Sequence, residues 1–409
     1  MKTFWGRLLV VGFLLVAAVS ANVSAQAAPL LAFVNTSGQL VVSSGDGGFR
    51  WIVTNPGETL VDGYEWADGR VVFAVYDGGE ISVRVADPNA QSAYEIGRGA
   101  GSSIAFGGVT QNSAVVAFDG RLAIFALNGG GGGELGVTGT LAEQATNGGA
   151  IFFRGSDGNY AIIAPNGGSF TPLGFASDPN APFISLWSGS LVAYADYGIG
   201  SSLAVTDTNT GSTVRLDNTG SIPLLPLAWT GSTLMYRGTS GTVLAADLSG
   251  INSGANPLAS GVDFLPGSAT EVQTDGRFAY FLNGENVGAV DLGCLNRGDC
   301  VNSVQILGGQ AAPETILDVS GRVLVYTGYT GNAYDLASRE LRAVDLGCLG
   351  GACQPVSIVG GATAGYLAPD ANYVSVQDVN GGISAMNLSG GGLGYLSDGG
   401  DLLSFRWAE

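Results

Sequence analysis

Residues 183–216, FISLWSGSLVAYADYGIGSSLAVTDTNTGSTVRL, contain the pattern on which the fold depends. Short segments rich in Gly, Ser, Asn and Asp separate four runs of β-forming residues, which lie at 183–187, 191–195, 202–206 and 212–216. Runs of this length between such turn residues are typical of antiparallel strands joined by hairpins. The segment therefore predicts one four-stranded antiparallel sheet.

The same pattern recurs along the chain, which makes the sequence a repeat. In each copy an apolar run ends at Asp or Asn, and a turn follows. These residues are Asp46, Asp87, Asn128, Asn166, Asp207, Asp247, Asp291, Asp345 and Asn387. Successive members are 38 to 44 residues apart, except for an interval of 54 residues between Asp291 and Asp345, where we expect an inserted loop. A fixed period of this size predicts a repeat architecture with nine copies.

A second position supports the same register. Each copy has a short turn just before an apolar run that we interpret as the second strand. These runs lie at 70–75, 114–118, 150–153, 191–194, 233–236, 278–281, 323–326 and 373–376. No segment after the N-terminal region shows a 3.6-residue apolar period over three turns, so the protein is predicted to be all-β.

Four short strands per copy are typical of a β-propeller blade. The C-terminal segment 401–407 resembles a first strand that has no second strand after it, whereas the N-terminal segments 30–35, 39–43 and 49–53 resemble second, third and fourth strands. Joined, they would complete one blade and cover both sheet edges. We therefore expect a single closed ring of four-stranded blades, eight to nine in number and nine by repeat count, closed by pairing of the N- and C-terminal strands.

The N-terminus has the pattern of a secretory signal peptide. Lys2 and Arg7 precede an apolar run at 8–19, and small residues allow cleavage after Ala25 or Ala27. We predict a signal peptide at 1–27, a propeller domain at 28–409 and a secreted or periplasmic location. An uncleaved membrane anchor is the alternative, although the apolar run is short for a span of about 20 residues.

Composition excludes several classes of function. The chain has no His, and its only Lys is Lys2, so the mature protein lacks the usual general base and any Schiff-base amine. Removal of 1–27 leaves 14 Arg against 34 acidic residues, a formal charge of −20. Nucleic acid is a poor partner for such a surface, because neutralising phosphates requires a basic patch.

The copies resemble the TolB-like and WD-repeat-like β-propellers of exported bacterial proteins. The residues that carry this resemblance are EWADGR at 65–70 and AVTDTNTG at 204–211. The resemblance covers nearly all of 30–409 and implies a propeller fold and a binding scaffold, not an activity. The chain has no helical N-terminal domain like that of TolB, so the role of TolB itself is not implied.

Four cysteines lie in two adjacent copies. In each copy the first cysteine, Cys294 or Cys348, directly follows the run Ala-Val-Asp-Leu-Gly, and a second cysteine follows it. In an exported protein an even number of cysteines predicts disulfides, and we expect the local pairs Cys294–Cys300 and Cys348–Cys353, each closing a turn within its own blade on the outer side. A four-cysteine zinc site is the alternative, although its usual spacing is two to four intervening residues. The Arg297-Gly298-Asp299 tripeptide inside the first loop suggests either adhesion or an ordinary turn.

Two further motifs have both a structural and a functional interpretation. Residues 44–51, SGDGGFRW, fit the Asp-box of sialidase-like propellers, where the Asp supports a turn and the Trp packs between blades. The Asp207-x-Asn209-x-Gly211 turn resembles part of a calcium loop, but Asn218 stands where such a loop has Glu. We interpret the repeated acids as structural turn residues: Asp46, Asp87, Asp207, Asp247, Asp291 and Asp345.

The sequence thus predicts a non-catalytic binding or interaction protein. We expect a monomer that holds a protein or carbohydrate partner at a propeller face, with no cofactor, metal or catalytic residue assigned. The alternative is a carbohydrate-active enzyme, a glycoside hydrolase or lyase, because chemistry with paired carboxylates needs no His.

Overall fold

A computed structural model describes residues 28–408, except 111, 148, 165–169, 176–183, 197–201, 217–224, 239–241, 254–261, 266–268, 297–299, 314, 390–392 and 398–399. The signal peptide prediction for 1–27 lies outside the described residues. Within them, thirty-five strands form seven four-stranded sheets and one seven-stranded sheet. The helical elements in this part of the chain are 3-10 turns of three to five residues. The all-β prediction is confirmed.

The strands fall into groups of four in which each strand pairs with the next. The first strands are β4 (Thr59–Ala67), β8 (Ile104–Val109), the second half of β11 (Gly132–Thr146), β15 (Ser185–Ser188), β19 (Leu225–Thr230), β23 (Ala269–Thr274), β27 (Asp318–Ser320), β31 (Ala362–Leu367) and β35 (Gly400–Trp407). The second strands are β5 (Arg70–Asp77), β9 (Ser113–Phe118), β12 (Ile151–Gly155), β16 (Leu191–Asp196), β20 (Thr233–Arg237), β24 (Phe278–Asn283), β28 (Val323–Tyr329), β32 (Tyr373–Asp378) and β1 (Leu30–Asn35). 

The third strands are β6 (Glu80–Asp87), β10 (Arg121–Ala126), β13 (Asn159–Ile163), β17 (Ser202–Asp207), β21 (Val243–Asp247), β25 (Asn286–Asp291), β29 (Arg339–Asp345), β33 (Ile383–Asn387) and β2 (Leu40–Ser44). The fourth strands are β7 (Ser92–Ala100), the first half of β11, β14 (Phe170–Phe175), β18 (Thr213–Leu216), β22 (Val262–Leu265), β26 (Gln305–Gly308), β30 (Val356–Gly360), β34 (Leu393–Ser397) and β3 (Arg50–Ile52).

The seven-stranded sheet consists of two such groups that share β11. The first half of β11 pairs with β10 as far as Thr138, and its second half pairs with β12 from Gly139 onward. A Cβ atom on Gly139 would lie 2.3 Å from the carbonyl oxygen of Arg154, so a side chain there would force the backbone apart. The shared strand was not expected from the sequence, which predicts separate strands in the two copies.

The second strand of most groups supplies a large aromatic side chain to the core. Branched and aromatic residues favour strands, and here they are buried against the neighbouring sheet. The fully buried aromatic residues of the second strands are Phe33, Phe73, Phe118, Phe152, Phe153, Tyr194, Tyr236, Tyr280, Phe281 and Tyr326. Burial of one such side chain contributes about 1.5–3 kcal/mol, so the packing between sheets is a main source of stability.

The first strands lie side by side along the chain, and the C-terminal strand continues the series. β35 pairs antiparallel with β1, with Leu31 opposite Trp407. The indole Nε1 of Trp407 donates to the Tyr366 carbonyl on β31 at 3.1 Å, just as Trp229 on β19 donates to the Leu186 carbonyl on β15 at 3.1 Å. The hydrogen bond between the sheets of β31 and β35 is therefore of the same kind as the one between the sheets of β15 and β19.

The 54-residue interval contains the cysteine loop 292–304 and two further long segments. One is the connection from β26 to β27, residues 309–317, where Ala311 bridges to Gly328. The other is the turn from β28 to β29, residues 330–338, which ends in a 3-10 turn at Leu336–Ser338. The expected insertion thus divides among three segments, of which 309–317 and 330–338 lie at the same end of their sheets.

Candidate binding faces

The ends of the sheets form two faces with different contents. In each group the turn from the first to the second strand and the turn from the third to the fourth strand lie at the same end. Side chains join such turns in neighbouring sheets: the Ser188 hydroxyl donates to the Gly231 carbonyl at 2.8 Å, and the Thr230 hydroxyl donates to the Gly276 carbonyl at 3.1 Å. We call this end the disulfide face, because both disulfide loops, 292–304 and 346–355, belong to it. The opposite end, with the second-to-third-strand turns and the connections between groups, is the loop face.

Every described member of the Asp and Asn series supports a turn of the disulfide face. The side-chain Oδ1 accepts a hydrogen bond from the backbone N–H two residues further on, which is the geometry of an Asx turn. The acceptors are Asp46, Asp87, Asn128, Asp207, Asp247, Asp291, Asp345 and Asn387, with N–O distances of 2.8–3.0 Å. Asn166 lies outside the described residues. These side chains are used in shaping the backbone.

Hydrogen bonding also keeps several of these acids ionised. The Ser44 hydroxyl and the Gly48 N–H lower the pKa of Asp46. Burial alone would raise the pKa of Asp207, but hydrogen bonds from Asn252 and Asn209 outweigh it, and the pKa is lowered. A carboxyl with a lowered pKa is a poor proton donor near neutral pH, so these acids are unsuited to general acid catalysis.

The Asp207 turn connects two sheets. Its Oδ2 accepts a hydrogen bond from the Asn252 amide at 2.8 Å, and the Thr210 hydroxyl donates to Asn252 Oδ1 at 2.9 Å. Asn252 belongs to the 3-10 turn Ile251–Ser253 after β21. Both carboxylate oxygens of Asp207 therefore accept protein donors, which favours the turn interpretation over the calcium loop. Within the described residues, no three His, Cys, Asp or Glu side chains are grouped closely enough to hold a metal ion.

The Asp-box segment lies between β2 and β3, at the third-to-fourth-strand turn. The Ser44 hydroxyl donates to Asp46 at 2.5 Å and accepts the Phe49 N–H at 2.9 Å. Trp51 packs in a cluster with Val42 and with Phe73 of the next sheet. The segment has the structural role of its motif and does not by itself indicate catalysis.

The first disulfide, Cys294–Cys300, is fully buried, with Cα atoms 4.8 Å apart. It packs against Met235 and Val243 of the preceding sheet. The expectation of a purely local clamp on the outer side is therefore too narrow, because this disulfide fills the space between two sheets. The Arg297-Gly298-Asp299 tripeptide lies outside the described residues.

The second disulfide loop is also attached to the preceding sheet. Cys348 and Cys353 are bonded, with Cα atoms 5.1 Å apart, and both are half-buried. Gln305 on β26 holds the loop: its amide donates to the Gly351 carbonyl at 2.9 Å, and its Oε1 accepts the Gly350 N–H at 2.8 Å. Since all four sulfurs are in disulfides, the zinc alternative does not apply.

Bulges recur where the first strands pair with the second strands. Among the described pairings, seven of the nine groups have such a register shift. The pairing of second with third strands shows none in the same residues. At one bulge, in β23, Glu271 is exposed and has a left-handed φ of 49°. Bulges re-aim side chains and are frequent next to functional sites.

An ion-pair network covers one sheet near the loop face. Arg84 pairs with Glu58 at 2.7 Å, and Arg98 pairs with Asp77 and Glu95 at 2.7 Å each. The hydrogen bonds from Asn55 and Arg84 outweigh burial and lower the pKa of Glu58. These groups lie mostly at the surface, where one ion pair contributes about 0–1 kcal/mol. Both arginines of the network are thus engaged by its acids.

The loop-face segment 330–338 joins the second and third strands of its sheet through nine residues. It is held by its own hydrogen bonds: Thr330 N–H to the Ser338 carbonyl at 3.0 Å, and the Ser338 hydroxyl to the Asn332 carbonyl at 2.6 Å. Yet Tyr334 is 82% exposed and Leu336 is 45% exposed. An ordered loop thus presents an aromatic and an aliphatic side chain to solvent.

Tyr334 and Gln305 were not identified from the sequence as functional or structural residues. The 54-residue interval was the available signal for Tyr334, because loops that exceed the repeat length often carry function. For Gln305 no such signal exists, since its partners lie in the next copy.

Comparisons with known proteins place the chain by architecture. Searches against protein-family models and curated protein sequences return no match. Among solved structures the chain is similar to Porphyromonas gingivalis dipeptidyl peptidase 4, with 11% identity and a TM-score of 0.52 over 91% of this chain and 59% of that chain. It is also similar to apo AztD from Citrobacter koseri (12% identity, TM-score 0.48, 94% of this chain and 96% of that chain) and to BamB from Moraxella catarrhalis (15%, 0.43, 74% and 89%).

At these identities the likeness concerns the fold alone. The repeated antiparallel four-stranded sheets are the arrangement of a β-propeller. Within the described residues, no helix is long and apolar enough to cross a membrane.

Proposed function

We propose that the chain is an exported binding protein of the TolB-like or WD-repeat-like kind, built on one closed ring of nine blades. Each first strand contacts the first strand of the next group from β4 to β31, and Trp407 of β35 joins the series to β31. Pairing of β35 with β1 supplies the first strand of the last blade. These contacts support closure and the count of nine.

Export is supported by two independent features. The segment 1–27 has the pattern of a signal peptide, and two disulfides fit an oxidising compartment outside the cytoplasm. N-terminal sequencing of the exported protein should begin at Gln26 or Ala28. A chain that retains Lys2 after export would instead indicate an uncleaved anchor.

Binding without catalysis is supported by how the acids are used. The chain has no His, and the repeated acids of the disulfide face are occupied by turn hydrogen bonds. The observation that carries the proposal is the contrast with the loop face, where Tyr334 stands exposed on an ordered loop. We therefore propose that a protein or carbohydrate partner binds a monomer at the loop face.

The test uses residues 28–409, purified with intact disulfides. A glycan array, a panel of soluble polysaccharides and a displayed library of 12-residue peptides would serve as probes. We expect binding of at least one probe with no release of new reducing ends or unsaturated products over many hours. Release of such products would favour the glycoside hydrolase or lyase alternative. Light scattering during size exclusion should report a monomer.

A further inference from the structure

The segment 330–338 does more than connect two strands. Neighbouring sheets make the same connection with far fewer residues, such as the two residues between β24 and β25. Here the Asp335 side chain caps the 3-10 turn by accepting the Ala337 N–H at 3.0 Å, and Asn332 accepts the Tyr334 N–H at 3.1 Å. The loop is therefore held by its own hydrogen bonds while the Tyr334 side chain stays exposed. Packing within the sheet does not explain the position of this side chain, which indicates a role in contacts outside the sheet.

Backbone hydrogen bonds join this loop to the next sheet. The Arg339 carbonyl, directly after the loop, accepts the Gly361 N–H at 2.7 Å, and the Gly361 carbonyl accepts the Val379 N–H at 2.9 Å. Val379 begins the turn from β32 to β33 and is 36% exposed. On the other side, the Tyr329 hydroxyl donates to Glu285 in the turn from β24 to β25 at 2.6 Å. Turns of three consecutive sheets are thus connected at the loop face.

Acidic groups flank the exposed Tyr334 and Leu336. Asp335 lies between them in the sequence. Asp378 ends β32 directly before the Val379 turn, and Glu285 lies in the turn from β24 to β25. Two arginines lie nearby. Arg342 is engaged, because its guanidinium donates to Glu340 at 2.7 Å and to the Gly309 carbonyl at 2.8 Å. Arg339 directly follows the loop, but Asp335, Asp378, Glu285 and Glu340 outnumber the two arginines. The whole chain carries a formal charge of −18, which attracts cationic partners and repels acidic ones.

We propose that Tyr334, Leu336 and Val379, with the flanking Asp335 and Asp378, form a docking surface for a basic segment of another protein that also carries an aromatic or aliphatic anchor. This inference rests on the proposed binding function and specifies its partner. Tyrosine offers a large contact area at a low entropic cost, and a preformed loop reduces the ordering cost of binding. The surrounding carboxylates favour Lys and Arg and speed association.

The experiment uses residues 28–409 and a displayed library of random 12-residue peptides, followed by titration of the selected synthetic peptides. We expect the selected peptides to be net positive with at least one Trp, Phe, Tyr or Leu. Tyr334→Ala should weaken their binding at least tenfold, and Leu336→Asp should weaken it similarly. Tyr395→Ala is the matched control, because Tyr395 is 58% exposed on the outer strand β34, and it should change the Kd less than twofold. Affinity should fall as NaCl is raised.

Three results would overturn the inference. Selected peptides whose binding survives both Tyr334→Ala and Leu336→Asp would show that a different surface binds, and the proposed binding function would still stand. Loss of a glycan ligand, and not of peptides, in Tyr334→Ala would assign the loop to carbohydrate. Absence of any peptide or glycan ligand for the unmodified chain would remove both the docking surface and the proposed function. Circular dichroism of each variant should match the unmodified protein, since the substituted side chains are exposed.

Discussion

Carboxylates accept turn N–H groups on both faces of the sheets, such as Asp207 on the disulfide face and Asp335 on the loop face, but the two faces differ in the side chains that they leave exposed. On the disulfide face, polar side chains form hydrogen bonds within the protein. Carboxylates accept turn N–H groups, hydroxyls donate to carbonyls of the next sheet, and Gln305 binds a neighbouring disulfide loop. On the loop face, the segment 330–338 satisfies its backbone and leaves Tyr334 and Leu336 exposed. The comparison teaches that neighbouring sheets are attached on both faces, whereas the segment 330–338 of the loop face also leaves apolar side chains available for binding. Stability and binding should therefore respond to different substitutions.

The largest expected effect comes from removing residues 402–409, which supply most of β35. Without it β1 becomes an unpaired edge and the cluster around Trp407 loses its centre, so both faces should fail together through aggregation. Size exclusion and light scattering would show this. Trp407→Phe is the control, because it keeps an aromatic side chain in that cluster but removes the indole donor to the Tyr366 carbonyl. This substitution should lower the free energy of unfolding by about 1 kcal/mol. A truncated chain that stays monomeric with an unchanged melting temperature would contradict closure.

The two disulfides should differ in their contribution to stability. Replacing Cys348 and Cys353 by Ser should lower the free energy of unfolding by about 2 kcal/mol, which is the loop-entropy effect of so short a loop. Replacing Cys294 and Cys300 should cost more, on the order of 4 kcal/mol, because the buried pair also packs against Met235. Urea unfolding measures both. Equal costs, or the reverse order, would show that the packing between sheets at the first disulfide contributes little.

Lowering the pH should reduce the free energy of unfolding through the acids of the disulfide face, with the exception of Asp318. The pKa values of Asp46, Asp207 and Asp247 are lowered in the fold, so these groups stabilise the protein above the ordinary carboxyl pKa, and that stability is lost as pH falls through and below it. Asp318 has the opposite sign, because burial raises its pKa and its ionised form is disfavoured in the fold. Asp318→Asn should therefore be more stable than the unmodified chain at pH 7.

Thermal melts between pH 7 and pH 3 would test this. The advantage of Asp318→Asn should vanish below the ordinary carboxyl pKa, where the unmodified Asp318 is protonated in both states. The Leu367 N–H, which donates to Asp318 at 2.6 Å, keeps an acceptor in the variant. A variant that is less stable at every pH would show that the ionised carboxylate is required.

The smallest expected effect on stability is that of Tyr334→Ala. A side chain that is 82% exposed gives up little packing, so the free energy of unfolding should change by less than about 0.5 kcal/mol. Urea unfolding next to the Tyr395→Ala control would check it. A loss of 2 kcal/mol or more would mean that the loop supports the fold and that the contrast between the faces is weaker than described.

The features that could be predicted from the sequence depend on interactions between residues that are close together along the chain. An Asx turn joins Asp207 to a residue two positions away, and a hairpin joins strands such as β24 and β25 across a two-residue turn. The predicted second strands begin within one residue of the observed ones, and β1 was predicted at its observed bounds. The two Cys pairs, separated by 6 and 5 residues, follow the same rule.

The features that escaped prediction depend on contacts between copies. Asn252 reaches Asp207, 45 residues away, and Gln305 reaches the Gly350 N–H at the same separation. The sharing of β11 and the burial of Cys294 also depend on where neighbouring sheets lie. The exposure of Tyr334 could not be foreseen, because a tyrosine at that position could equally have been packed against the sheet.

The pairing of β35 with β1 also has a consequence for the order of folding. Hairpins such as β16–β17 can form as soon as they are synthesised, because their strands are neighbours along the chain. In contrast, Arg50 donates to the Leu396 carbonyl, 346 residues further on, and that contact must await nearly the whole chain. Pairing of β35 with β1 should therefore be the final folding step. Until then the edge of β1 is unpaired and can pair with other chains.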